Sequence, residues 1–122
     1  MRNRFILITF ALMWSMPSHS QFGYWSGNSW LLICDSPSAD KNVCDVYTKG
    51  VIEGLHVGFG MGSFLSSGGK TTQAKPFCLG SSHTTAQHVA VIRNFYRDHP
   101  ETLSRGANEG ILTAMMGTFP CE

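Results

Sequence analysis

Four cysteines, Cys34, Cys44, Cys78 and Cys121, standing behind an export-type leader constrain this chain more than any other feature of its sequence. The leader "MRNRFILITFALMWSMPSHS" has Arg2 and Arg4 at its start, an apolar run from Phe5 to Met16, the helix breaker Pro17, and small residues Ser18 and Ser20 around His19. That is the three-part layout of a cleaved secretory signal. Its apolar run of roughly 12 residues falls short of the ~20 that a membrane-spanning helix needs. The expectation is therefore a signal peptide over residues 1–20, a mature chain from Gln21, and no membrane contact after cleavage, rather than an uncleaved anchor. In an exported chain an even cysteine count reads as disulfides. A mature domain of about 100 residues has a core small enough for such staples to matter.

Of the 9 basic and 8 acidic residues in the full chain, Arg2 and Arg4 leave with the leader. The remainder is close to neutral, without the clustered Lys and Arg of a nucleic-acid binder.

Residues 21–122 read as a single domain, with no internal repeat or linker. "SGNSWLLICDSP" offers Ser26 or Asn28 as an N-cap, a short helix from Trp30 to Cys34, and a stop at Ser36-Pro37. After "SPSADKN", apolar or small residues recur every three or four positions from Val43 to Gly58, which predicts a helix from about Lys41 to about Gly60. The stretch "SFLSSGGKTTQAKP" then reads as a polar loop. Thr84 with Gln87 forms a capping-box signature ahead of a helix over residues 85–98. "DHPE" offers Asp98 or His99 as a cap and Pro100 as the first residue of a last helix, through Leu103 and Ala107 to about Gly117. The expected fold class is all-α, a small disulfide-stapled bundle of about four helices.

The last two predicted helices have almost no connector, so they fold back as an antiparallel pair or cross at an angle. If antiparallel, they bring Cys78 near Cys121. Cys34 and Cys44 flank one short turn. Of three possible connectivities, this geometry favours Cys34 with Cys44 and Cys78 with Cys121.

The glycines of "GVIEGLHVGFGMGS" do not form a nucleotide-binding fingerprint. Gly58-Phe59-Gly60 is followed by Met61-Gly62-Ser63, no strand precedes it, and no Gly-Lys-Ser/Thr is present. Gly50, Gly54 and Gly58 lie four apart on one helical face. At a cost of about 1 kcal/mol each against Ala, they predict close packing against another helix, with Gly60 and Gly62 fraying the helix end. Glu53 and His56 have the spacing of a helical metal half-site, but the second half-site and further carboxylates are missing, so they read as solvated surface. His83 and His88 gather no ligand set, and the cysteines lack the short paired spacing of zinc sites. A nucleophile pair of Cys78 with His83 or His88 conflicts with disulfide pairing. No cofactor, metal or catalytic residue is expected, and the chain is not expected to be an enzyme.

Together, "NSWLLICDSP", "VCDVYTKGVIEG", "PFCLG" and "TAQHVAVIRNFYRDHPETLSRGANEGILTAMMGTFPCE" resemble the Rap/Tai family of type VI secretion immunity proteins. The most specific parts are Cys44-x-x-Tyr47-x-x-Gly50, Phe77-Cys78, Tyr96 with His99-Pro100, and Phe119-Pro120-Cys121. Gly106 and Gly110 thin a last helix that is usually richer in Ala and Leu. The resemblance implies a small helical periplasmic protein, often a homodimer, that binds and blocks a peptidoglycan amidase delivered by neighbouring cells. Members bind through a protruding loop or helix end. By that analogy Ser66, Ser67, Gly68, Lys70 and Thr71 are the effector-contact candidates, against the plainer reading of a connector that binds nothing. A periplasmic stress chaperone that exposes apolar surface in acid, or an orphan relative with no effector, is the alternative function.

Overall fold

A computed structural model describes residues 25–37, 39–70 and 74–122. The expected signal peptide, its cleavage point and Thr71 lie outside the described residues. The elements are α1 (Gly27–Cys34), α2 (Lys41–Ser66), α3 (Thr85–Asp98), a 3-10 turn (Pro100–Thr102) and α4 (Ala107–Thr118). Among the described residues there is no strand, only an isolated bridge between Ser26 and Gly106.

Local chemistry explains where the helices begin. Ser26 caps α1 by accepting the Ser29 amide, and Asp40 caps α2 by accepting the Asn42 amide. At α3 the capping box is complete. Thr84 accepts the Gln87 amide while Gln87 Oε1 accepts the Thr84 amide at 2.8 Å.

Two elements differ from the expectation. The second helix does not fray at Gly60 but runs on to Ser66, so Ser66 is helical rather than part of a loop. The last helix does not start at Pro100. A single 3-10 turn there is followed by a break at Ser104-Arg105, and α4 opens after Gly106. That break is fixed by α1, whose Gly27 and Asn28 amides donate to the Arg105 and Leu103 carbonyls at 3.0 Å each.

All four helices contribute to one core: Trp30 from α1, Cys44 and Ile52 from α2, Val89, Ile92 and Tyr96 from α3, and Ala107, Ile111, Ala114 and Met115 from α4. Phe77, in the loop before α3, is fully buried with them. Two polar groups at the centre, on Trp30 and Tyr96, find partners inside the chain, as burial favours. Trp30 Nε1 donates to Thr48 Oγ1 at 3.0 Å, and the Tyr96 hydroxyl donates to the Ala107 carbonyl at 3.2 Å. Arg93 joins α3 to the end of α1, donating to the Cys34 carbonyl at 3.0 Å and pairing with Asp35 at 2.7 Å.

The disulfides pair as the geometry favoured, Cys34 with Cys44 and Cys78 with Cys121. The second bridge closes the α3–α4 unit, where the Cys78 amide also donates to the Phe119 carbonyl at 2.9 Å.

Candidate functional site

The first half of α2 belongs to the bundle, Leu55 and His56 make its last contacts with it, and the remainder projects beyond. At about 1.5 Å per residue its 26 residues span about 39 Å. Its buried residues are Cys44, Thr48 and Ile52, all before Glu53. Beyond that point Val57, Phe59, Met61, Phe64 and Leu65 are exposed, Val57 and Leu65 to more than two thirds of their surface (68% and 69%). No Asp, Glu, Lys or Arg occurs from Gly54 to Gly69. The exposed ion pair of Lys49 with Glu53 at 3.8 Å marks the boundary.

The glycine row gives this half its shape, and here the structure corrects the sequence reading. The helix contact expected at Gly50, Gly54 and Gly58 is not made among the described residues, where a Cβ built at any of them meets nothing within 4 Å. Gly54, Gly58 and Gly62 instead form the floor of a shallow apolar groove of about 560 Å³, with Leu55 and Phe59 on one wall. Exposed Val57, Met61 and Leu65, four residues apart, form the ridge on the other side of the row. The glycines that do pack tightly are Gly27 and Gly110, both against Tyr96. No periodicity marked either of these two, since each is the lone small residue opposite one large ring.

The tip of the helix is tied down by its own backbone. The Gly69 amide donates to the Phe64 carbonyl at 2.9 Å and the Gly68 amide to Leu65 at 3.3 Å, a Schellman arrangement. It requires left-handed backbone, supplied by Gly68 (φ 69°) and Gly69 (φ 86°). Ser67 Oγ lies 2.7 Å from the Lys70 carbonyl and 3.0 Å from that of Phe64. Ser66, Gly68 and Lys70 are exposed and Ser67 is half-buried, so these four candidates form one ordered cap on the projecting helix.

Elsewhere, Trp25 stacks on Tyr47 at 4.0 Å beside exposed Val43 and Val46. A mixed cleft of about 510 Å³ lies between α3 and α4, with Phe95, Asp98 and Thr113 in its wall. His56, expected to be solvated, is half-buried and bonds to the Phe77 carbonyl oxygen. Among the described residues no group of three or more His, Cys, Asp or Glu is placed to hold a metal ion, and no helix is long and apolar enough to cross a membrane. The Cys78 sulfur is committed to Cys121, which removes it as a nucleophile for His83 or His88.

The molecule is thus a disulfide-stapled all-α protein with an uncovered, charge-free helix end, a class suited to binding another protein. The chain belongs to the family of Rap1a immunity proteins, whose profile it matches over residues 26–121. That is a family of immunity proteins directed against secreted effectors and not a family of enzymes, and its kind of partner is a cognate effector protein. No match was found among curated proteins or among solved structures.

Proposed function

We propose that this chain is a periplasmic immunity protein that binds and blocks a peptidoglycan amidase delivered by type VI secretion, protecting the producing cell. The observation that carries the reading is the distal half of α2. Five large apolar side chains lie there exposed on a stretch with no Asp, Glu, Lys or Arg from Gly54 to Gly69, and a lone domain gains nothing from exposing them. Such a ridge and groove fit the entrance of a cleft in a folded partner, and inhibition by occlusion needs no chemistry from the inhibitor. Ser66, Ser67, Gly68, Lys70 and Thr71 are the proposed polar contacts around that apolar centre, in the arrangement common to protein interfaces. Disulfides at all four cysteines accord with an oxidising compartment.

Co-expression with the candidate amidase encoded beside its gene tests the reading. Export of the amidase alone should lyse the cells, and export of both should not. The mass of the purified complex then distinguishes a 1:1 from a 2:2 assembly, the latter expected if the chain pairs as a homodimer. Lysis unchanged by co-expression, together with protection of unrelated client proteins at pH 2–3, would replace this reading with a chaperone.

A further inference from the structure

His83 and His88 meet Phe119 where the segment before α3 joins the C-terminal tail, and His56 of α2 holds the start of the same segment at Phe77. His56 Nε2 donates to the Phe77 carbonyl oxygen at 3.2 Å, and the two rings lie 4.5 Å apart. His83 Nδ1 accepts the Gly80 amide at 3.1 Å, and its ring lies 4.7 Å from Phe119. His88 is more than nine-tenths buried, with 8% of its surface exposed, and its Nε2 has no hydrogen-bond partner. The rings of His83 and Phe119 stand 6.2 and 5.9 Å from it. The carbonyl of the same Phe119 accepts the Cys78 amide.

These contacts differ in what they require of the proton. The His56 bond survives protonation, because Nε2 donates in either state. His83 must be neutral, since a protonated Nδ1 has no lone pair for the Gly80 amide. His88 must be neutral as well, because a charge there would be buried without a partner. The charge of His83, when present, acts against one on His88. Glu109, in the first turn of α4, is at the opposite end from Phe119. Burial first and His83 second hold the His88 pKa below the ordinary histidine value.

We propose that His83, His88 and Phe119 form a pH-gated clasp, closed when both imidazoles are neutral and opened by their protonation, which fastens the C-terminal tail and the segment 77–83 to α3. The Cys78–Cys121 bridge keeps the tail attached when the clasp opens, so the opening is local and reversible. Phe77, whose carbonyl holds His56 of α2, lies in the released segment, so the opening reaches the root of the projecting helix half. The device stands whether or not the partner is an amidase.

Amide hydrogen exchange on the disulfide-intact mature protein, corrected for intrinsic rates, tests it between about pH 7.5 and about pH 5. The Cys78 and Gly80 amides should lose about tenfold in protection as pH falls below about 6.5, while amides of the buried face of α4 hold theirs. His56→Gln should keep this pH dependence. His83→Asn with His88→Phe, which supplies an uncharged acceptor and an apolar ring, should abolish it. A flat wild-type profile, or an unchanged profile in the double variant, would overturn the clasp. If the double variant does not fold, histidine ring titration of the wild type by NMR decides. His88 protonation that tracks the loss at Cys78 supports the clasp, and His88 charged while Cys78 remains fully protected overturns it.

Discussion

The ring of Tyr96 fits between Gly27 of α1 and Gly110 of α4, and neither position has room for a methyl group. A Cβ at Gly27 would lie 2.6 Å from the Tyr96 ring, and one at Gly110 would collide with both the ring and its hydroxyl. Alanine would favour the helix at Gly110 by about 1 kcal/mol, but the ring is fully buried and cannot step aside. Gly110→Ala is therefore expected to destabilise by about 1–3 kcal/mol through overpacking, read as a lower urea midpoint with an unchanged slope. The same enclosure pushes the Tyr96 pKa up to about 12, through burial first and then Tyr47 and Glu109. The folded state then holds its proton more tightly than the unfolded state, whose tyrosine titrates near 10. Stability from this group is complete below about pH 10 and is lost as pH rises through about 12, so the urea midpoint should fall across that window. Tyr96→Phe should remove this alkaline slope and cost about 1 kcal/mol at neutral pH for the bond to Ala107.

At the scale of the element, α2 shows what residue spacing conveys and what it leaves open. The spacing from Val43 to Gly58 announced the helix, and the structure agrees on its start at Lys41, while the cap at Asp40 emerged only from the structure. Its end was misjudged because Gly60 and Gly62 carry low helix propensity, whereas the residues that stop the helix are Gly68 and Gly69, where left-handed backbone is adopted. The glycine row was misjudged for a different reason. Small residues four apart describe a groove without saying whether anything lies in it, and among the described residues none comes within 4 Å of a Cβ built there. An open site makes Gly54→Ala stabilising, by about 0.5–1 kcal/mol from reduced backbone entropy, visible as a higher thermal midpoint. If the groove seats a partner, that stabilised variant should also bind it less tightly, a combination that a purely solvent-facing glycine would not give.

For the molecule as a whole, the helices and staples were legible, and the uncovered surface was not. The α3 start followed from the capping box, the Cys34–Cys44 pairing from the short turn between those cysteines, and the Cys78–Cys121 pairing from the expected fold-back of the last two helices. The turn and break between those helices were missed, because they depend on α1 donating amides to Leu103 and Arg105, a contact between distant segments. The polar candidates at the α2 tip came from family resemblance, and the apolar ridge behind them emerged only from burial. With sequence separations of 10 and 43, the two bridges should contribute about 3 and about 4 kcal/mol by loop closure. Replacing Cys78 and Cys121 together by Ser should therefore lower stability more than replacing Cys34 and Cys44, as calorimetric melting of the two pairs would show.

A calorimetric titration of the purified protein with a candidate amidase effector decides whether the distal half of α2 is the binding surface. Wild type should be compared with Val57→Asp, Leu65→Asp and, as a control on exposed α1, Leu32→Asp. If that surface binds the effector, wild type and the Leu32 variant should bind tightly, and each substitution on the distal half of α2 should lose at least about 30-fold in affinity. Unchanged affinity in the Val57 and Leu65 variants, with their folds intact, would contradict it.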